Sequence, residues 1–97
     1  MKNVLTLYEA FEIKCFGKVQ GVWFRHFCKK IADDLAIKGW VKNEMDGSVS
    51  IKAVGNKEAL EKFFFWCTEG SPLADVIKTE ITRGTKEPLK KFEIIKK

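Results

Sequence analysis

The sequence has no apolar run long enough to cross a bilayer. It also has no grouping of Asp, Glu or His at a spacing that would hold Mg²⁺ or Zn²⁺. No membrane association, no metal and no cofactor are therefore expected. Histidine occurs once, at His26, and proline twice. The three cysteines, Cys15, Cys28 and Cys67, are odd in number and lack C-x-x-C spacing. Each falls at an apolar position, so buried free thiols are expected rather than a disulfide or a metal site. There is no internal repeat and no low-complexity segment. The opening Met1-Lys2-Asn3-Val4-Leu5-Thr6-Leu7 is too short and too quickly polar for a secretory signal, so a cytoplasmic location is expected.

What remains is an ordinary globular composition. Ninety-seven residues, 45% hydrophobic and 32% charged, make one domain able to bury a core without staples. We expect a single domain over residues 1–97, with residues 1–7 as an N-terminal extension and a folded core over about 8–95. The net charge of +5 suits a small anion or a nucleic acid, or reflects a solvated basic surface. The gathering of Lys86, Lys90, Lys91, Lys96 and Lys97 reads as such a solvated face.

Periodicity divides the chain. From Tyr8 to Phe16 the pattern alternates, with Phe11, Ile13 and Cys15 on one face and Glu12 and Lys14 on the other, as in a half-buried strand. Phe24, Phe27, Cys28, Ile31, Ala32 and Leu35 then recur at three- and four-residue spacing. They predict a helix of roughly four turns, closed by Lys38-Gly39. Trp40–Asn43 and Ser48–Val54 read as two strands joined by a tight turn with the Asp46-Gly47 signature. Asn56 is placed to cap a second helix carrying Ala59, Leu60, Phe63, Phe64 and Cys67, which ends at Gly70-Ser71-Pro72. A strand over Ala74–Thr82 follows, and Phe92–Ile94 predicts a short C-terminal edge strand.

The order β-α-β-β-α-β predicts an α+β, ferredoxin-like sandwich. Its four-stranded antiparallel sheet, with the short C-terminal strand added, carries both helices on one face. The third strand then lies between the first two, leaving those two parallel. Their C-terminal ends come to the same end of the sheet, about 10 Å apart. One end carries the stretch Gly17-Lys18-Val19-Gln20-Gly21-Val22, and the other carries Asn43.

That juxtaposition carries the chemistry. A glycine-bracketed loop running into a helix start offers backbone N–H groups to an anion. Arg25 adds a forked cation suited to paired phosphate oxygens. Phosphoryl transfer needs positioning and positive charge more than covalent help, and the loop with Arg25 supplies both without a metal. The Asn43 amide can accept from and donate to a water, yet has no pKa useful to a general base. A site so built needs a good leaving group, such as the carboxylate of an acyl phosphate.

Gly17-Lys18-Val19-Gln20-Gly21-Val22-Trp23-Phe24-Arg25 resembles the first signature of acylphosphatases, where a V-Q-G-V-x-F-R run forms the phosphate cradle. Gly39-Trp40-Val41-Lys42-Asn43, continued by Asp46-Gly47, Val49 and Gly55, resembles the second signature at the family's spacing. The resemblance covers about residues 8–95. It implies hydrolysis of the carboxyl–phosphate bond, with the substrate's own phosphate taking the water's proton. By position, Arg25 would bind the phosphate, Asn43 would orient the attacking water, and the amides of Lys18, Val19, Gln20, Gly21 and Val22 would complete the cradle. The implied partners are a small-molecule acyl phosphate and inorganic phosphate or another anion as product or inhibitor. A monomer is expected. Two departures from the usual pattern, Leu35-Ala36-Ile37 for Leu-Gly-Leu and Gly70-Ser71 for Gly-Pro, concern helix ends and are not expected to touch the site.

His26 reads as an exposed residue, Gln20 as a structural one, and Trp23, Trp40 and Trp66 as core and rim packing. A catalytically idle anion-binding domain would share the scaffold but not require both Arg25 and Asn43. A nucleic-acid binder of this topology stacks bases on aromatics of its central strands. The stretch Val49-Ser50-Ile51-Lys52-Ala53 has none, and the first strand is expected to offer only Phe11, on its apolar face.

Overall fold

The computed structural model describes residues 8–96. The expected extension at residues 1–7 lies outside the described residues. Seven elements follow in order: β1 (Tyr8–Lys18), α1 (Phe24–Asp34), β2 (Lys38–Asn43), β3 (Val49–Asn56), α2 (Lys57–Glu69), β4 (Asp75–Arg83) and β5 (Phe92–Ile95). The sheet runs β4-β1-β3-β2-β5. Its first four strands pair antiparallel, and β5 runs parallel to β2 on the outer edge. This is the ferredoxin-like sandwich with its extra strand, and β1 and β2 flank β3 as expected.

Alternation decides which face is buried. Ile13, Cys15, Val41, Val49, Ile51 and Ala53 turn inward against Phe24, Cys28 and Ala32 of α1 and Leu60, Phe63 and Cys67 of α2. All three cysteines are free and buried in this layer. Burial pushes the thiols of Cys28 and Cys67 well above their usual range, with contributions from the neighbouring thiols. Asn56 caps α2 as its sequence position predicts, its side chain accepting from the Ala59 N–H at 2.8 Å.

Several boundaries differ from expectation: β2 begins at Lys38 and takes in the Lys38-Gly39 expected to close α1, and β3 runs on to Asn56. β1 continues past Phe16 to Lys18, with a bulge at Phe16/Gly17 that carries it along β4. Helix α1 is shorter than four turns, ending at Asp34. The Ala36 and Ile37 amides turn back to the Asp33 and Ala32 carbonyls at 3.1 and 2.8 Å, closing the helix in a Schellman motif. Ala36 occupies its left-handed position, at φ 58°.

The opposite sheet face is open, and aromatic residues are present there, contrary to expectation. Phe16 lies under the ammonium groups of Lys14 and Lys78 at 5.6 and 5.1 Å, and Trp40 under that of Lys42 at 5.3 Å. These lysines are nevertheless matched by acids: Lys14 with Asp46, Lys42 with Glu44 and Lys78 with Glu80. Buried Lys52, on the same face, reaches Thr85 at 3.2 Å and Glu87 at 3.1 Å in the strap between β4 and β5. The Lys52 hydrogen bond and charge hold the Glu87 carboxyl below its usual range, and the Thr85 hydroxyl assists. The strap so tied delivers β5 to the edge of β2.

Candidate active site

The loop after β1 is fixed from three sides. Gly17 sits at φ 122°, where a Cβ would fall 2.2 Å from the Asp75 carbonyl oxygen, so only glycine lets β1 close on β4 here. Val19 and Val22 are buried and pin the loop to the core. The side-chain amide of Gln20 donates to the carbonyls of Glu44 and Ser48, both at 2.8 Å, stitching the loop to the β2–β3 hairpin beside Asn43. Ser71 is buried, and its hydroxyl donates to the Val22 carbonyl at 2.7 Å. The departure at Ser71 therefore does reach the site, contrary to expectation. The turn after α2 folds back onto the loop, and a hydroxyl can donate there where a proline cannot.

Within the loop, Gly21 and Trp23 both take positive φ, 73° and 63°, on either side of Val22. Left-handed residues alternating with ordinary ones can turn successive N–H groups toward one side, a shape suited to an anion. The loop runs into the start of α1. Trp23 is the N-cap residue and makes no side-chain capping bond, and the first turn holds no acidic residue. The orphan N–H groups of the helix start are thus left for an external acceptor, at the positive end of the helix dipole.

Arg25 stands one residue inside α1, half-buried. Its Nη1 donates to the Ile95 carbonyl of β5 at 3.3 Å, and one turn on, Lys29 donates to the Phe92 carbonyl at 2.9 Å. Among the described residues no carboxylate pairs with Arg25, so its charge faces the cleft uncompensated. On the other wall Asn43 closes β2, and its Oδ1 is buried with no donor among the described residues. A buried amide oxygen left so is costly unless something polar meets it.

These features share one cleft of about 470 Å³, lined by Val19, Gly21, Trp23, Phe24, Arg25, His26, Asn43, Ile94 and Lys96. A smaller adjoining hollow again has Arg25 and Asn43, with Ile95 and Lys96. The expected pair is thus brought together. Of the expected cradle residues, Val19 and Gly21 line the cleft. Lys18 still pairs with Asp75 in the sheet, Gln20 is turned to the hairpin, and Val22 is inward. The wall formed by Ile94, Ile95 and Lys96 was not legible in the sequence, because only the parallel docking of β5 beside β2 brings that end to the cleft. Trp23, expected in core or rim packing, lines the cleft with 68% of its surface exposed. Among the described residues, no group of three or more His, Cys, Asp or Glu side chains is disposed to hold a metal.

Residues 11–94 match the family model for acylphosphatase. A protein of Archaeoglobus fulgidus named acylphosphatase is 45% identical over 85 residues, covering 88% of this chain and 96% of that one. Two solved structures share the fold. Acylphosphatase from Bacillus subtilis superposes with a TM-score of 0.87 at 38% identity, over 90% of this chain and 98% of that one. An acylphosphatase from Coxiella burnetii gives 0.92 at 30% identity, over 98% and 100%. With the loop, the arginine and the asparagine arranged as described, and with a family match over nearly its full length, this chain belongs to the acylphosphatase family.

Proposed function

We propose that this protein hydrolyses acyl phosphates to a carboxylate and inorganic phosphate without a metal. The observation that carries the reading is one cleft holding an uncapped helix start, an Arg25 that no carboxylate of the described residues pairs, and a buried Asn43 Oδ1 that none of their donors meets. Loop amides around Gly21 and the first turn of α1 take the phosphoryl oxygens, and Arg25 forks across two of them. These donors are already in place, so they stabilise charge in the transition state without reorganising. A water gives one hydrogen bond to Asn43 Oδ1, which holds it in line with the phosphorus.

As the water oxygen bonds to phosphorus, the bond from phosphorus to the acyl oxygen breaks. The electron pair leaves with the carboxylate, and the water's proton passes to a phosphate oxygen. A carboxylate is a good leaving group, so no general acid is required. Lys18 through Val22 act through their backbone, and Gln20 and Ser71 hold that backbone. We place the activity in the cytoplasm, on a monomer. The charge-balanced open face gives a nucleic acid no basic stripe to follow.

The test is release of inorganic phosphate from benzoyl phosphate by the wild-type protein in EDTA. Turnover unaffected by the chelator is expected. A folded protein that binds phosphate yet turns nothing over would replace the hydrolase with an idle anion-binding domain.

A further inference from the structure

Trp23 is the residue that local physics explains least. It sits at φ 63°, ψ 19°, a left-handed conformation that a bulky side chain rarely adopts. It holds an N-cap position, where Ser, Thr, Asp, Asn or Gly is favoured and where its side chain makes no capping bond. With 68% of its surface exposed, it adds little to the core. Backbone, cap and packing all oppose tryptophan here. Conflicts of this kind collect at functional sites, and this one stands on the wall of the cleft that holds Arg25 and Asn43.

The indole is also oriented. The His26 ring meets it edge-on, with centroids 6.1 Å apart and planes at 78°, and His26 is braced in turn by Phe27 at 5.3 Å and 84°. Ile94 faces the same cleft from β5. The phosphate end of a substrate is fixed at the Gly21 loop and Arg25, so the acyl end has to project along the remaining wall. That wall carries His26 and Lys96 beside Ile94, and its broad apolar surface is the Trp23 indole.

We propose that Trp23 is the acyl-group subsite, a stacking platform that selects acyl phosphates with a planar, aromatic acyl group over small aliphatic ones. The proposal rests on the anion-binding reading of the cleft, and it holds whether or not the bound acyl phosphate is turned over. Its role is selectivity rather than chemistry, and His26 serves as the brace of the indole.

Glycine adopts φ 63° without strain, so Trp23→Gly removes the platform while relieving the backbone, and the variant should melt no lower than the wild type. The measurement is the ratio of affinities for benzoylphosphonate and acetylphosphonate, read by calorimetry, beside the ratio of kcat/KM for benzoyl and acetyl phosphate. Offset or edge-on aromatic pairing predicts that both ratios fall by about three- to tenfold in Trp23→Gly and largely persist in Trp23→Phe. An affinity ratio equal to the wild type's in Trp23→Gly would overturn the subsite, even with hydrolysis intact. Failure of the wild type to hydrolyse either phosphate, with the affinity ratio still falling in the variant, would overturn the hydrolase and leave the subsite standing.

Discussion

Replacing Gln20 should damage the site without touching the substrate. Its side-chain amide gives two hydrogen bonds, each 2.8 Å, to the carbonyls of Glu44 and Ser48. Both acceptors keep a backbone partner when the side chain is removed, since the Gly47 N–H bonds the Glu44 carbonyl and the Glu44 N–H bonds that of Ser48. No orphaned group is left behind, so Gln20→Ala should cost only the net value of two bonds. That is about 2 kcal/mol, or a loss of about 10 °C in Tm for a domain of this size. The loop would also lose its register with Asn43, so kcat should fall while the unfolding m-value stays unchanged.

Gln20→Glu is the sharper variant. Once ionised, the carboxylate would face two carbonyl oxygens with no proton to offer. Repulsion raises the folded-state pKa of that carboxyl above its unfolded value. The variant is therefore least handicapped at acid pH, where the protonated group can donate, and loses ground as pH rises through the folded pKa. Thermal melts of wild type, Gln20→Ala and Gln20→Glu from pH 3 to 8, with turnover at neutral pH, would check this. A Gln20→Ala protein melting within about 2 °C of wild type, with full turnover, would refute the stitching role.

Ala36→Gly should stabilise the protein by about 1 kcal/mol, because the Schellman position at φ 58° suits glycine and strains alanine; calorimetry reads this as a higher Tm with unchanged activity. Ser71→Ala removes the bond to the buried Val22 residue and should cost about 1–3 kcal/mol, with a matching loss of phosphate affinity by titration. Asp46 and Glu87 both have lowered carboxyl pKa values, Asp46 through hydrogen bonds from the Ser48 hydroxyl and amide, Glu87 through Lys52. A depressed folded pKa gives stability that is present above the unfolded carboxylate pKa and lost as pH falls through the folded one. Denaturant melts should therefore weaken on acidification below about pH 4, and Glu87→Gln should flatten part of that slope.

Much of this architecture was legible because its signals are local. Alternation at Ile13 and Cys15, helical spacing from Phe24 to Ala32, the Asp46-Gly47 turn and the Asn56 cap each report nearest-neighbour physics. Arg25 and Asn43 could be placed together since the crossover rule fixes strand order. The misread parts depend on tertiary contacts that no short window contains. Which edge receives β5, and hence the wall of Ile94 and Lys96, is set by packing against β2. Ser71 looked like a helix-end substitution because its partner, Val22, lies far away in the chain. The end of α1 was overestimated because the apolar stripe runs through Leu35, whereas the backbone turns left-handed at Ala36.

Phosphate binding by Arg25 and water positioning by Asn43 are separable, and separating them is the most direct test of the proposed hydrolysis. Inorganic phosphate affinity and acyl phosphate turnover would be measured side by side for wild type, Arg25→Ala and Asn43→Ala. Asn43→Ala should keep phosphate affinity within about threefold but lose about 10²-fold or more in kcat, while Arg25→Ala should lose both. An Asn43→Ala protein that still turns over near the wild-type rate would contradict the water-positioning role.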